Sequence, residues 1–254
     1  MKFSVLGCSG GIGGNLRTTS FLIDQDILID AGTGVGELGL NELASIDHIF
    51  ITHSHMDHIC SLPLLLDSIA GMRERPVTVY ATSDTLDILR QHIFNWKVWP
   101  DFSEIYHGIH AVMRYQAISV GELIDLEGRK ITALPAVHTV PAVGYHIDSG
   151  EGSLVFSGDT YINDGLWAAA NKIANLRYMI IETAFSNHEK ELAVLSRHLC
   201  PSLLADELKK YHGDAEIFIT HLKPDEAGLI MAEIKDSADR YSPKMLINNQ
   251  VFIF

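Results

Sequence analysis

Short apolar runs alternate with amphipathic segments along the chain. The runs are rich in β-branched and aromatic residues and mostly end at a glycine or a polar residue, which is the pattern of buried strands. The strands predicted in this way are Lys2–Leu6, Phe21–Asp24, Ile27–Asp30, His48–Thr52, Val77–Ala81, Ile131–Ala136, Gly144–Asp148, Ser153–Phe156, Tyr178–Glu182, Glu216–Thr220 and Met245–Phe254. The helices predicted between them are His58–Ala70, Ser83–Phe94, Asp164–Ala174, Lys190–His198, Ser202–Tyr211 and Asp225–Ala238.

The order of these elements predicts an α/β fold. Strands cluster early and again from about residue 110 to 160, and the second half of the chain alternates strands with helices. We therefore expect two sheets packed face to face with helices outside, in a single domain that spans 1–254. Residues 94–110 (FNWKVWPDFSEIYHGIH) have no clean period and are predicted to form a loop or insertion.

Composition restricts the classes of partner. Acidic residues outnumber basic ones by 32 to 19, which gives a formal charge of −13. Long polyanions are bound mainly through Lys and Arg, so an extended nucleic-acid interface is disfavoured, although a metal pair would still make a small pocket locally positive. No apolar run reaches the roughly 20 residues that cross a bilayer.

The cysteines and the first residues indicate the compartment. Cys8, Cys60 and Cys200 are too widely spaced for a disulfide framework or a C-x-x-C site. The opening MKFSVLGCSGG predicts a strand that enters a glycine turn rather than a secretory signal. We therefore expect a cytoplasmic protein with reduced thiols.

Four potential metal ligands stand directly after the predicted strand His48–Thr52. They are His53, His55, Asp57 and His58. Strand ends that face a crevice are where α/β proteins place their chemistry. Imidazole together with carboxylate suits zinc, iron or manganese, so this cluster predicts a metal site.

The H-x-H-x-D-H pattern resembles the signature of the metallo-β-lactamase superfamily, and four other segments resemble that family in the same order. They are Leu28–Gly34, Ala136-Val-His138-Thr, Ser157-Gly-Asp159-Thr160 and Thr220-His221. The resemblance covers nearly the whole chain and implies an αββα sandwich of two mixed sheets.

The resemblance also implies two metal sites. Carried onto the matching positions, the family's ligands are His53, His55 and His138 for one metal, Asp57, His58 and His221 for the other, and Asp159 as the bridge between them. Two divalent ions are implied, zinc by family expectation, with manganese or iron accepting the same donors. Such a pair turns a bridging water into hydroxide, so hydrolysis is the implied reaction.

A second group of residues resembles two phosphodiesterase branches of the superfamily. The segments Ile181–Phe185 and Arg197–Leu208 are similar to the class II cyclic-nucleotide phosphodiesterases and to the transfer-RNA 3′-processing endonucleases called tRNase Z. In both branches a glutamate and a histidine lie beside the metals, so Glu182 would orient His198, which would protonate the departing alkoxide. A helix-terminal carboxylate and a helix-end cation are the alternative roles for these two residues. The candidate catalytic residues are Asp57, Glu182 and His198.

Of the two branches, the class II enzymes resemble this chain better. The segments after His58, His198 and His221 are similar to theirs, and no basic, glycine-rich arm for transfer RNA is present. The sequence therefore predicts a two-metal phosphodiesterase that hydrolyses 3′,5′-cyclic nucleotides to 5′-monophosphates. RNA 3′-end processing is the first alternative, and hydrolysis of a thioester, lactone or β-lactam is the next. An iron-based oxygen or nitric-oxide reductase of this fold would carry Glu where Met56 stands.

The expected partner is a small phosphodiester substrate, and the resemblance suggests a homodimer. The aromatic residues Phe94, Trp96, Trp99 and Tyr106 in the segment 94–110 could offer a ring face to a purine. Stacking of a base on an aromatic ring contributes roughly 1 to 3 kcal/mol. A core or subunit-interface role is the alternative for each of them.

Overall fold

Two seven-stranded mixed sheets form the centre of the molecule in the computed structural model, which describes residues 1–254. The first sheet runs, in spatial order, β16 (Val251–Ile253), β1 (Lys2–Gly7), β2 (Ser20–Ile23), β3 (Ile27–Ile29), β4 (His48–Phe50), β5 (Val77–Ala81) and β8 (Met113–Ala117). The second runs β15 (Lys244–Met245), β14 (Glu216–Thr220), β13 (Leu176–Glu182), β12 (Ser153–Phe156), β11 (Val143–Asp148), β10 (Arg129–Pro135) and β9 (Leu123–Leu126). A separate hairpin contains β6 (Tyr106–His107) and β7 (His110–Ala111).

Helices cover the outer faces of both sheets. They are α1 (Leu40–Ser45), α2 (Met56–Ile59), α3 (Leu62–Ile69), α4 (Ser83–Ile88), α5 (Asp164–Ala170), α6 (Lys190–Ser196), α7 (Pro201–Leu208) and α8 (Ala227–Ala238). Short 3₁₀ turns occupy Thr33–Glu37, Asn187–Glu189 and Asp239–Tyr241, and a π-helical turn, Leu89–Ile93, extends α4. No helix combines the length and apolar character that crossing a membrane requires.

Three large apolar cores follow from this layering. The inner core lies between the sheets, where the Phe21 ring meets the Phe156 ring edge-on at 4.9 Å. One outer core packs the first sheet against α3 and α4, and the other packs the second sheet against α5 to α8. Strands such as β5 and β12 are buried along their whole length because helices cover one face and the opposite sheet covers the other. The predicted arrangement of two mixed sheets with helices outside is confirmed.

The C-terminal segment differs from the prediction of one strand over Met245–Phe254. The structure forms two short strands there, β15 in the second sheet and β16 in the first. Asn249 has a φ of +65° and its N–H donates to the Val5 carbonyl, so the chain turns away from one sheet and joins the other. The pattern of apolar positions does not predict this turn, because the residues on both sides of it are apolar.

The segment after His58 also differs from the prediction. In place of one helix over His58–Ala70, the chain forms α2 and α3, which are separated at Cys60 and Ser61. Pro63 stands in the first turn of α3, where its missing N–H costs nothing. The early start of α2 brings Asp57 and His58 into its only turn.

Candidate metal centre

The predicted ligands lie at one edge of the sandwich, beyond the carboxyl ends of strands from both sheets. Four of the seven ligands follow strands: His53 comes after β4, His138 after β10, Asp159 after β12 and His221 after β14. His55 precedes α2 as its N-cap residue. Parallel strands end at the same edge of a sheet, which is why positions distant in sequence meet here.

The structure brings these side chains together in two clusters that share Asp159, with the grouping that the resemblance implies. Within each cluster the potential ligand atoms lie within 4.8 Å of one another. His55 and Asp57 are half-buried and Met56 between them is exposed, so the opening of the site lies along α2. The first cluster is His53, His55, His138 and Asp159, and the second is Asp57, His58, Asp159 and His221.

Several buried nitrogen atoms in the clusters have no hydrogen-bond partner. They are Nε2 of His53, Nε2 of His58 and Nδ1 of His221. An unpaired buried polar atom costs roughly 1 to 3 kcal/mol, so three of them at one point indicate a group that they bind. Two ligand atoms on one tetrahedral zinc are about 3.3 Å apart. His138 Nε2 lies 3.1 Å from His55 Nδ1, and His58 Nε2 lies 3.3 Å from Asp159 Oδ2. The residues therefore fit a metal pair.

Hydrogen bonds on the far side of the rings set their orientation. His58 Nδ1 donates to Asp30 Oδ2 at 2.7 Å. The Thr52 hydroxyl donates to the same carboxylate at 2.8 Å and accepts from His53 Nδ1 at 3.0 Å. His138 Nδ1 donates to the Arg197 carbonyl at 3.1 Å, because a carbonyl can only accept. Each of these rings thus directs an Nε2 lone pair into the site, as metal ligation requires.

Burial keeps most of the imidazoles neutral. It lowers the pKa of His138 to about 4, that of His221 to about 3 and that of His53 well below its usual value. Burial alone would raise the pKa of Asp159, but the imidazoles around it, His58 among them, outweigh it, and the pKa of this carboxyl lies well below its usual value. His58 is the exception among the rings, since Asp159 and Asp30 on its two sides outweigh burial and raise its pKa.

Glu182 and His198 form a buried pair next to the clusters. His198 Nδ1 donates to Glu182 Oε1 at 2.9 Å, and the Thr160 N–H donates to the same oxygen at 3.1 Å. The His198 ring lies 4.8 Å from that of His138 and 5.2 Å from that of His221, between centroids. Burial lowers the pKa of His198, but the Glu182 carboxylate outweighs it, and the net shift is upward. The Glu182 carboxylate therefore favours the protonated form of His198 beside the metal ligands, and His198 Nε2 makes no hydrogen bond within the protein.

Sequence reasoning assigned no role to two residues that support this site. Asp30 was contained in the glycine-turn segment Leu28–Gly34, and its place under His58 depends on how β3 packs beside β4. Arg197 ends α6 with a φ of +55°, and its guanidinium donates to the His138 carbonyl at 2.8 Å. No local signal identifies Arg197, because its partner lies 59 residues earlier in the chain.

The aromatic segment 94–110 is divided between core and surface. Phe94 is buried in the outer core, and Trp99 packs against the same core, so neither ring is free to stack on a base. Trp96 and Tyr106 are exposed, and Trp96 Nε1 donates to Glu104 at 3.0 Å. The core alternative therefore holds for Phe94 and Trp99.

Comparison with known proteins adds two relatives and one solved structure. A probable 3′,5′-cyclic-nucleotide phosphodiesterase of Yersinia pestis is 29% identical over 225 residues, which cover 77% of this chain but 64% of that protein, less than two thirds of its length. A ribonuclease Z of Haloarcula marismortui is 28% identical over 159 residues, which cover 59% of this chain and 48% of that protein. The crystal structure of unliganded yeast PDE1 superimposes with a TM-score of 0.82 at 17% identity and covers 100% of this chain and 99% of that one, which shows a shared fold.

A family model described as the beta-lactamase superfamily domain matches residues 25–241. The match includes all seven residues of the two clusters and the Glu182–His198 pair. The αββα layering and the strand-end position of the clusters agree with it. The chain belongs to the β-lactamase superfamily domain family.

Proposed function

We propose that this protein is a two-metal phosphodiesterase that hydrolyses 3′,5′-cyclic nucleotides to 5′-monophosphates. Similarity to the relative from Yersinia pestis, named a probable 3′,5′-cyclic-nucleotide phosphodiesterase, supports this substrate class. The observation that carries the proposal is the buried Glu182–His198 pair beside the clusters. A ribose oxygen leaves poorly without a proton, and this pair is placed to supply one.

The ligands proposed for the two ions are the residues of the two clusters, with Asp159 shared between them. Three imidazoles and one carboxylate form the first cluster, and two imidazoles and two carboxylates form the second. This donor chemistry favours zinc, and manganese or iron accept the same ligands. When bound, two divalent ions polarise the phosphodiester and make water acidic enough to attack it at neutral pH.

Side chains of the protein would donate the proton that the leaving group needs. Glu182 fixes the His198 ring through Nδ1, so Nε2 is the nitrogen that carries the transferable proton. That proton would pass to the ribose 3′ oxygen as the bond between phosphorus and this oxygen breaks, which leaves the phosphate on the 5′ oxygen. The Thr160 N–H and the His198 ring together stabilise the charge of Glu182 while the proton is held.

RNA 3′-end processing is the second candidate, since a ribonuclease Z aligns with 59% of the chain. The formal charge of −13 counts against it, because an RNA is held through many phosphates and needs a basic surface. A cyclic nucleotide presents a single phosphate, and the metal pair is sufficient to bind it.

The test is hydrolysis of 3′,5′-cyclic AMP and cyclic GMP by metal-reconstituted protein, with products separated by chromatography and Asp57→Ala as the blank. Release of the 5′-monophosphate by the wild type alone is the expected result. Cleavage of bis(p-nitrophenyl) phosphate without turnover of either cyclic nucleotide would overturn the substrate assignment in favour of RNA or another diester.

Three expectations from the sequence remain predictions. They are the single domain over 1–254, the cytoplasmic location and the homodimer. The thiols are compatible with a reducing compartment, since all three cysteines are free. Gel filtration with light scattering measures the oligomeric state directly.

A further inference from the structure

A pocket of about 320 Å³ lies beside the metal centre and has no role in the chemistry described above. It opens between the glycine-rich loop after β1, the segment that joins β14 to α8 and the segment that joins β15 to β16. Its walls are mainly apolar and include Leu16, Leu222, Pro224, Leu246 and Ile247. Small-molecule sites are mostly apolar clefts of roughly 300 to 1,000 Å³, so this pocket has room for one ring system.

Lys223 lines the pocket and also lies near the residues of the metal centre. Leu222 and Lys223 line it and directly follow the proposed ligand His221. The Lys223 ammonium donates to the Gly10 carbonyl at 2.8 Å and lies 5.7 Å from the centre of the Phe185 ring. That ring in turn lies 5.7 Å from the His198 ring. A positive charge therefore lies near both the proposed proton donor His198 and the pocket.

Two polar side chains at the pocket have no partner within the protein. The Asn15 amide and the Asp225 carboxylate are exposed and make no side-chain hydrogen bond. Asn248, in contrast, donates to the Asn15 carbonyl at 2.8 Å and so helps to hold the loop in place. Apolar walls with a few free polar groups at the rim match a heterocycle with flat apolar faces and polar edges.

We propose that this pocket binds the purine base of the cyclic nucleotide, with the apolar walls against the ring faces and Asn15 and Asp225 at the polar edge. This inference rests on the proposed function and adds the residues that select the base. A purine gains more from the pocket than a pyrimidine, because its two fused rings bury more apolar surface.

The first test fills the pocket with Ala227→Phe, which adds a ring at the pocket end of α8. We expect KM for cyclic AMP and cyclic GMP to rise by about tenfold, with a smaller loss on bis(p-nitrophenyl) phosphate, which carries no base. The matched control is Leu229→Phe, two residues along on the same helix and outside the pocket, which should leave both substrates unaffected. Equal losses on the cyclic nucleotides and on the synthetic diester would overturn the assignment.

The second test guards against misfolding of the first variant. Asp225→Asn keeps the size of the side chain and suits the left-handed backbone at this position, where φ is +66°. We expect the ratio of the KM values for cyclic GMP and cyclic AMP to change by about threefold or more, because the carboxylate contacts only the base edge. An unchanged ratio would contradict the role of Asp225.

Binding of the products separates this inference from the proposed function. Calorimetric titration of metal-loaded protein with 5′-AMP and 5′-GMP should show binding that Ala227→Phe weakens by about tenfold. If the wild type hydrolyses cyclic nucleotides but Ala227→Phe binds both products normally, the proposed function stands and the pocket assignment fails. If the wild type neither hydrolyses cyclic nucleotides nor binds the products, both fail.

Discussion

His138 and Arg197 bind each other through two hydrogen bonds of opposite direction. The His138 ring Nδ1 donates to the Arg197 carbonyl at 3.1 Å, and Arg197 Nη1 donates to the His138 carbonyl at 2.8 Å. Arg197 holds this position in the left-handed region, with φ of +55° and ψ of +50°. Residues other than glycine, asparagine and aspartate are disfavoured in this region. The two hydrogen bonds therefore form although the backbone conformation of Arg197 is energetically unfavourable.

The left-handed backbone at Arg197 predicts that a glycine variant is more stable than an alanine variant at this position. Arg197→Gly should be more stable than Arg197→Ala by about 1 kcal/mol, because glycine adopts a positive φ without strain. Urea unfolding of the metal-free protein measures the difference. The matched control compares Ser196→Gly with Ser196→Ala at the last residue of α6. Here the alanine variant should be the more stable one, because glycine is unfavourable in a helix. Equal free energies of unfolding for the two Arg197 variants would show that the positive φ of this residue is not strained.

Asp30→Asn should weaken the metal site that contains His58. Asparagine can place its amide N–H toward His58 Nδ1, and that nitrogen must then accept, which leaves the proton on the Nε2 that faces the metal. We expect metal affinity at this site to fall by about 10- to 100-fold. Competition with a chromophoric chelator measures it. Asp26→Asn, which breaks an ion pair with Arg129 at the opposite end of the sandwich, is the control and should not change metal affinity.

His198→Ala should affect substrates according to their leaving groups. Turnover of a cyclic nucleotide should fall by about 100-fold or more, because its ribose oxygen needs the proton. The loss on bis(p-nitrophenyl) phosphate should be far smaller, since nitrophenolate leaves unassisted. Steady-state rates on both substrates with fully metal-loaded protein provide the measurement, and equal losses would exclude the general-acid role. Glu182→Gln should show the same selectivity, because it removes the charge that holds the imidazolium.

The three thiols should differ sharply in reactivity. Burial raises the pKa of Cys8 to about 12, so its thiolate is absent until the pH rises toward that value. Cys200 is buried as well, whereas Cys60 is half-buried beside α2. At about pH 8, a thiol reagent should therefore modify only Cys60 quickly in the folded protein. Cys60→Ser should abolish the fast phase, and a fast phase that persists in this variant would disprove the assignment.

The sequence alone determined the layers of the fold and the composition of the metal clusters. Four of the seven ligand positions stand together just after a buried apolar strand, and the other three were assigned because their segments resemble those of a known family. The H-x-H-x-D-H segment is short enough that its four potential ligands are close in any folded chain. The pairing of Glu182 with His198 was also foreseen, because its two segments resemble those of a known family.

The tertiary structure decided which distant groups support those ligands. Asp30 lies under His58 because β3 and β4 are parallel neighbours, and Arg197 reaches His138 because α6 ends over the second sheet. The same holds for Phe94, for which the sequence left both base stacking and a core role open and which is buried in the outer core. The pattern of apolar positions likewise could not predict that the C-terminal segment is divided between the two sheets. Apolar patterns report burial, but the choice of partner depends on packing between elements far apart in sequence.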